Sequence, residues 1–165
     1  MTKRSTILSG AMTASVALSL LSFSLLGCGP PLFEGTSVTF VIEESTIDLE
    51  SHRPIEVRPT STDPYRRVRF NVEGLEVGWP STEKGLYQGD TLVRLEYVTE
   101  HEFQRVTYRT RYCDVKTALV EITGEEYGLL KGFFAGEVCQ FSSTRVAGVP
   151  ESLIIGGAFA GTVDE

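Results

Sequence analysis

The sequence has few of the residues from which metal and catalytic sites are built. It contains two histidines, three cysteines and one tryptophan among 165 residues. Neither His52 nor His101 stands in a His-x-x-x-His or His-Glu-x-x-His spacing, and no Cys-x-x-Cys pair occurs. No Gly-x-Ser-x-Gly sequence marks a nucleophilic serine. We therefore expect a non-enzymatic protein without a cofactor, and a hydrolase that has no recognisable motif is the enzymatic alternative.

The chain also has no apolar run long enough to span a bilayer. The stretch from Ala14 to Leu26 is far shorter than the ~20 residues that a transmembrane helix needs. It follows the basic residues Lys3 and Arg4 and contains several small residues. A basic start and a short apolar segment are typical of a secretory signal peptide.

Leu25-Leu26-Gly27-Cys28 closes this stretch. The four residues resemble the lipobox of bacterial lipoproteins, although Leu26 stands where a smaller residue is usual. The resemblance implies that residues 1–27 are removed and that Cys28 is lipidated, with fatty acids such as palmitate holding the protein to a membrane of the cell envelope. Gly29 replaces the Asp that often retains lipoproteins at an inner membrane, which favours the outer membrane in an organism with two. The alternative is an ordinary signal peptide that leaves Cys28 as a thiol.

Removal of the signal peptide leaves a tether and one domain. Residues 28–36 include Gly29-Pro30-Pro31 and form a short, stiff tether, and residues 37–165 have the length of a single domain. Loss of Lys3 and Arg4 changes the formal net charge from −7 to −9. This acidity argues against nucleic acid and against a second contact with anionic lipid. The expected partners are the membrane, through the anchor, and an unknown envelope protein or glycolipid.

Alternation of apolar and polar residues recurs through the domain and predicts β-strands. The apolar faces are Val38, Phe40 and Ile42; Ile47 and Leu49; Ile55 and Val57; Val68, Phe70 and Val72; Val93, Leu95 and Tyr97; and Val106, Tyr108 and Tyr112. No segment after the signal peptide has a sustained helical period. The pattern predicts an all-β fold, a single antiparallel β-sandwich, with a small curved, barrel-like sheet as the alternative.

Residues 132–138 and 157–163 share the pattern Gly-x-Phe-Ala-Gly-x-Val. A phenylalanine that lies across a glycine of the next strand covers an otherwise weak point in a sheet. We therefore predict that the two segments are neighbours and that each phenylalanine covers a glycine of the other. The pattern resembles the carboxy-terminal strands of small β lipoproteins of unknown function, which implies a fold type and no catalytic residues.

The sequence also predicts a hairpin and a disulfide bond. A turn centred on Glu126 places apolar or small residues opposite one another, in the pairs Ile122 and Leu130, Val120 and Gly132, and Ala118 and Phe134. The same register places Glu121 opposite Lys131 and Cys113 opposite Cys139. Opposed Cβ atoms lie about 4.5–5.5 Å apart, and exported domains commonly join such cysteines.

Four arginines form the first candidate binding surface. Arg105, Arg109 and Arg111 alternate with apolar residues, and Arg94 on an adjoining strand extends the set. Guanidinium groups bind phosphate and carboxylate, so the set is a candidate for lipopolysaccharide head groups or an acidic partner. The alternative is that these arginines pair with neighbouring acidic residues on the outer face of the sheet.

Two weaker candidates complete the set. Trp79 and Tyr87 fall in the irregular stretch from Glu73 to Asp90, where they are candidates for contacts with a partner or for capping the core. Asp48, Glu50 and His52 alternate onto one face of a strand and are weak candidates for metal ligands, against a solvated strand face. The rival function of a different class is a lipocalin-like carrier of a small apolar ligand, which requires a barrel with an internal cavity.

Overall fold

A computed structural model describes residues 34–42, 45–58, 62–115, 117–141, 143 and 145–164. The all-β prediction is confirmed: the described residues form strands, with short 3-10 turns that include Pro64–Arg66 and Thr110–Tyr112. The strands are β1 (Thr36–Ile42), β2 (Ser45–Ser51), β3 (Ile55–Val57), β4 (Val68–Val72), β5 (Leu75–Trp79), β6 (Gly85–Gln88), β7 (Arg94–His101), β8 (Gln104–Arg109), β9 (Leu119–Glu126), β10 (Leu129–Gln140), β11 (Ser152–Gly161) and β12 (Val163–Asp164).

All of these strands belong to one open, curved sheet. Its order is β12-β3-β4-β5-β7-β8-β10-β11-β1-β2, with β9 paired to β10 and β6 paired to β9. The curvature brings β4 and β5 face to face with β10 and β11 across the core, because Phe70 packs against Phe134 and Phe159, and Trp79 packs against Phe159. Two halves of one continuous sheet therefore pack as the layers of a sandwich do.

One strand pair departs from the predicted antiparallel arrangement. The short strand β12 pairs with β3 in parallel, joining Val163 to Ile55 and Asp164 to Glu56. Because β12 follows β11 after Thr162 alone, the chain carries the sheet around from β11 to β3. The sheet is therefore mixed.

The predicted pairing of the two repeated segments is confirmed. Strands β10 and β11 are antiparallel neighbours, with Gly132 opposite Phe159 and Phe134 opposite Gly157. Phe159 covers Gly132 closely, since a Cβ built on Gly132 would lie 2.6 Å from the ring. The predicted cover of Gly157 by Phe134 is not seen, because the atoms nearest to a Cβ built on Gly157 are the carbonyl oxygen of Thr39 at 2.3 Å and the Cβ of Phe40 at 2.6 Å, both on β1.

The predicted register of the β9–β10 hairpin is wrong by two residues. Gly132 lies opposite Ile122 and Phe134 opposite Val120. The turn is the two-residue type I′ turn Tyr127-Gly128, with φ of 55° and 76°, and a bulge follows between Lys131 and Gly132. A shift of two residues keeps every side chain on its face, so the apolar pattern alone does not distinguish the two registers.

The predicted irregular stretch from Glu73 to Asp90 is also wrong, because it contains β5 and β6. Gly78 lies inside β5 and not in a turn. A Cβ at position 78 would collide with the carbonyl oxygen of Tyr65. Trp79 is fully buried in the core, and Tyr87 is half-buried in β6 with its hydroxyl donating to the Glu83 carbonyl at 2.8 Å. Neither aromatic is a loop side chain free to reach a partner.

Candidate functional site

The arginines predicted as one stripe are divided by the fold into two groups. Strands β7 and β8 are neighbours, and Arg94, Arg105 and Arg109 lie on them as predicted. Strand β8 ends at Arg109, and the chain then enters the 3-10 turn Thr110–Tyr112. Arg111 therefore leaves the alternation of the strand, which corrects the prediction that it continues that face.

Arg94 and Arg109 are held by a largely buried carboxylate, Glu96. Arg109 reaches Glu96 through Nη2 at 2.9 Å and Nε at 2.8 Å, and Arg94 contacts the same carboxylate through Nη2. Burial by itself would raise the pKa of Glu96, but the hydrogen bonds from Arg109 and Arg94 outweigh it and hold this pKa below its usual value. These two arginines are therefore part of a structural ion cluster, as the alternative interpretation expected.

Two fixed points position the 3-10 turn and its tyrosine. The buried Thr110 hydroxyl exchanges hydrogen bonds of 3.0 Å with both the N–H and the carbonyl of Leu95. On the other side the predicted Cys113–Cys139 disulfide is present and joins the turn to β10. It forms although the register that predicted it is wrong, because Cys139 lies opposite Arg109 of β8 and Cys113 follows the turn. Tyr112 is thus held between two attachments.

The Tyr112 side chain gathers two guanidinium groups. Its hydroxyl oxygen accepts hydrogen bonds from Arg109 Nη1 at 3.0 Å and from Arg111 Nη2 at 3.1 Å. Both guanidiniums also lie over the ring, at 5.6 Å and 5.0 Å from its centroid. The hydrogen bond from Arg111, with that from Arg109, lowers the pKa of the Tyr112 phenol. Two guanidinium groups therefore flank this hydroxyl.

A surface cleft of about 350 Å³ opens beside this tyrosine, and we call it the arginine cleft. It is lined by Arg105, Val106, Thr107, Arg109, Tyr112, Gln140 and Phe141. Phe141 packs against Tyr112 with ring centroids 5.0 Å apart. Below them, the buried Gln140 donates to the Pro150 carbonyl at 2.7 Å and accepts from the Val146 N–H at 3.0 Å, which fixes the floor.

Arg105 differs from the other arginines of this region. It is exposed on the rim of the cleft, and in the described part of the chain its guanidinium has no hydrogen-bond or ion-pair partner. Glu100 lies opposite Arg105 in the β7–β8 pair without forming an ion pair. Arg105 therefore carries a positive charge that no acidic side chain among the described residues neutralises.

The weak metal candidates do not converge. Asp48 and Glu50 lie exposed on β2, His52 follows the strand, and Asp48 accepts a hydrogen bond from Thr39. Among the described residues, one trio of donor side chains is close enough to hold an ion, formed by Cys113, Glu137 and Cys139. Its two sulfurs are joined in the disulfide, so they are not thiolate ligands.

The predicted signal peptide of residues 1–27, the predicted lipidation site Cys28 and most of the tether lie outside the described residues. In the described ranges, no helix has the length and apolar character required to cross a bilayer. No family model, curated protein or solved structure matches this chain.

The sequence pattern does not identify every residue that builds this site. The alternation places Tyr112 on the inner face of a strand, and it singles out neither Phe141 of the cleft nor Glu96, which pairs with Arg109. A signal for Glu96 exists in the two-residue gap between β7 and β8, since a turn at Glu102-Phe103 places Glu96 opposite Arg109. No comparable signal marks Phe141, because it approaches Tyr112 through the path of the chain after β10.

Proposed function

We propose that this protein is a lipid-anchored lipoprotein of the cell envelope whose β domain is a non-enzymatic binding module. In this proposal Cys28 carries the lipid, and the arginine cleft binds an anionic group of an envelope protein or glycolipid. The observation that carries the binding role is Arg105, an exposed guanidinium on the rim of a cleft with no acidic partner among the described residues. Surface arginines of this domain that serve structure are paired, as Arg58 and Arg69 are with Glu56.

The packed interior supports a surface contact rather than a ligand carried inside the sheet. Phe70, Trp79, Phe134 and Phe159 interlock across the core and are almost fully buried. A carrier of the lipocalin type needs that space for its ligand. The cleft lies outside the core and is open to solvent-borne or membrane-borne groups.

The position of the cleft supports a contact away from the anchoring membrane. The tether enters the domain at Thr36, which shares a row of the sheet with Gly161 and Leu130. Gln140, on the floor of the cleft, lies ten residues further along β10. At about 3.3 Å per residue this is roughly 30 Å, most of the length of β10, the longest of the described strands. A short tether would therefore hold the cleft toward the envelope space.

Two measurements test the proposal. Labelled palmitate is expected to enter the wild-type protein and not the Cys28→Ser variant, and equal labelling of both would contradict the anchor.

The binding role is tested by recovering affinity-tagged protein from intact envelopes and identifying the molecule that comes with it. The wild type is compared with Arg105→Glu and with Arg53→Glu. Arg53 is the matched control because it is another exposed arginine with no described side-chain partner. We expect the associated molecule to be lost with Arg105→Glu and kept with Arg53→Glu; retention in both would contradict the assigned surface.

A further inference from the structure

The hydrogen bonds of Tyr112 determine what its hydroxyl can offer to a ligand. A phenol oxygen has two lone pairs and one hydrogen. The oxygen accepts from Arg109 and from Arg111, so both lone pairs are occupied. Among the described residues, the hydroxyl hydrogen has no acceptor. Tyr112 is therefore a hydrogen-bond donor whose partner is not supplied by the described fold.

The rest of the cleft also offers donors and few acceptors. Arg105 contributes a guanidinium that has no partner within the described ranges, and Thr107 adds a hydroxyl to the lining. The side-chain oxygen of Gln140, which is the amide acceptor in the lining, is already used by the Val146 N–H. Glu96, the nearest carboxylate to Arg109, is saturated by two arginines. A group that accepts hydrogen bonds and carries negative charge complements this surface.

Beside these polar groups, part of the cleft lining is aromatic. Tyr112 and the partly exposed Phe141 present adjoining rings on the outer side of the sheet, whereas the Val106 side chain is buried in the core. A volume of about 350 Å³ is several times the space of a bare oxyanion and falls at the lower end of small-molecule pockets. The size and the apolar wall both indicate a ligand that is larger than its charged group.

We propose that the arginine cleft binds a small organic oxyanion. Its phosphate or carboxylate accepts hydrogen bonds from Arg105 and from the Tyr112 hydroxyl, and the ring or chain attached to that group packs on Tyr112 and Phe141. The inference rests on the proposed function in taking the cleft as a binding site, and it names the chemistry of the ligand. A head group of a membrane glycolipid and a soluble metabolite share this chemistry.

Small probes test both parts of this ligand. The full lipidated protein, in a non-ionic detergent, is titrated with phenyl phosphate, with inorganic phosphate and with uncharged benzyl alcohol, and the ring carbons of Tyr112 are followed by NMR. We expect phenyl phosphate to bind about tenfold more tightly than inorganic phosphate and benzyl alcohol not to bind. Bound phosphate places negative charge beside the phenol, so it should also raise the pKa of Tyr112, a readout that binding elsewhere would not give.

Variants locate the site. Arg105→Gln and Tyr112→Phe are each expected to weaken phenyl phosphate about tenfold, which is the loss of one charge-assisted hydrogen bond. Arg53→Gln and Tyr87→Phe are the matched controls and should bind as the wild type does. Equal weakening by Arg105→Gln and Arg53→Gln would overturn the site, and equal affinity for phenyl phosphate and inorganic phosphate would overturn the organic part of the ligand.

A vesicle competition identifies the source of the oxyanion. Vesicles of phosphatidylcholine with phosphatidic acid that displace phenyl phosphate support a lipid head group, whereas vesicles that leave it bound support a soluble ligand. If neither phosphate compound binds, the ligand assignment is overturned. The envelope recovery with Arg105→Glu decides the proposed function separately, because a protein partner would still be lost in that experiment.

Discussion

The ring of Phe159 lies directly across Gly132 of the neighbouring strand, in the space that a side chain at position 132 would occupy. The backbone oxygen of Glu121 lies at 2.5 Å from the same position. Gly132→Ala should therefore force the ring or the strand to move and reduce the free energy of unfolding by roughly 3 kcal/mol. Urea unfolding, followed by the fluorescence of the buried Trp79, measures the change.

A second glycine of the same strand pair provides the control. A Cβ on Gly156 would meet the Cβ of Ala135 at 3.5 Å, an ordinary contact. Gly156→Ala should change stability by less than about 1 kcal/mol. If the two substitutions destabilise the protein equally, the cost of Gly132→Ala does not arise from the collision with the Phe159 ring.

The Cys113–Cys139 disulfide closes a loop of 26 residues. Replacing both cysteines by serine should lower the free energy of unfolding by roughly 3–4 kcal/mol, since the unfolded chain regains the entropy of that loop. The reduced wild-type protein should unfold at the same urea concentration as the double variant. If reduction leaves the transition of the wild type unchanged, the bond does not stabilise the fold.

Glu96 should make the domain sensitive to acid. Its pKa in the folded state lies below the ordinary carboxyl value of 4.5, so the unfolded chain takes up the proton first as the pH falls. The stabilisation is therefore complete above the ordinary value and is lost as the pH falls below it through the folded-state pKa. Glu96→Gln should cost about 3 kcal/mol at neutral pH, because it leaves Arg94 and Arg109 without their shared anion.

The pH dependence separates this charge effect from a packing defect. Glu96→Gln should flatten the decline of stability in acid, whereas the exposed Glu125→Gln should leave it as in the wild type. Thermal unfolding across a pH series measures both. An acid decline in Glu96→Gln as steep as that of the wild type would contradict the assignment.

Phe103 is fully exposed at the tip of the β7–β8 hairpin, and its backbone has a φ of 68°. A left-handed conformation strains a bulky residue, and this side chain recovers nothing through burial. Phe103→Gly should therefore stabilise the domain by about 0.5–1 kcal/mol. Phe103→Ala removes the same ring and keeps the strain, so it should give no gain; equal unfolding temperatures for the two variants would contradict the role of the backbone.

The sequence predicted the strands in which burial alternates regularly. Val38 and Phe40 of β1, and Val68 and Phe70 of β4, face the core as their alternation indicates. The repeated glycine and phenylalanine pattern also identified the β10–β11 pair, because a glycine that needs cover carries information about its neighbour. These features depend on contacts between adjacent strands, which a periodic pattern records.

Features that depend on the path of the backbone could not be predicted in the same way. Gly78 and Pro80 suggest a turn, yet Gly78 lies within β5. A glycine is needed there because the backbone at Tyr65 passes too close to leave room for a side chain. The β9–β10 turn falls at Tyr127-Gly128, and the bulge after Lys131 shifts the register of the two strands further. No residue type in the sequence indicates this bulge. The disulfide is present although the register that supported its prediction is displaced, because Cys139 pairs with Arg109 of β8 and Cys113 follows the 3-10 turn.

For the candidate site, the sequence identified the arginines but not which of them form ion pairs within the fold and which stays exposed. Arg94, Arg105 and Arg109 have the same residue type and lie on neighbouring strands. Only the hairpin register places Glu96 beside two of them and leaves Arg105 on the rim. The 3-10 turn that carries Tyr112 arises because Thr110 replaces strand pairing with side-chain hydrogen bonds to Leu95.

The hydrogen bond from the Thr162 N–H to the Gly35 carbonyl, 2.9 Å long, brings the beginning of β1 beside the end of β11. A short linker from Asp164, at the end of β12, back to Gly35 could therefore close the chain, and new ends could be opened at Glu102-Phe103 without cutting a strand. Such a circular permutant would keep the same core while its point of attachment moved to the far end. If the lipid anchor of the proposed function were attached there, the domain would be inverted, and the arginine cleft would face the lipid instead of the space beyond it.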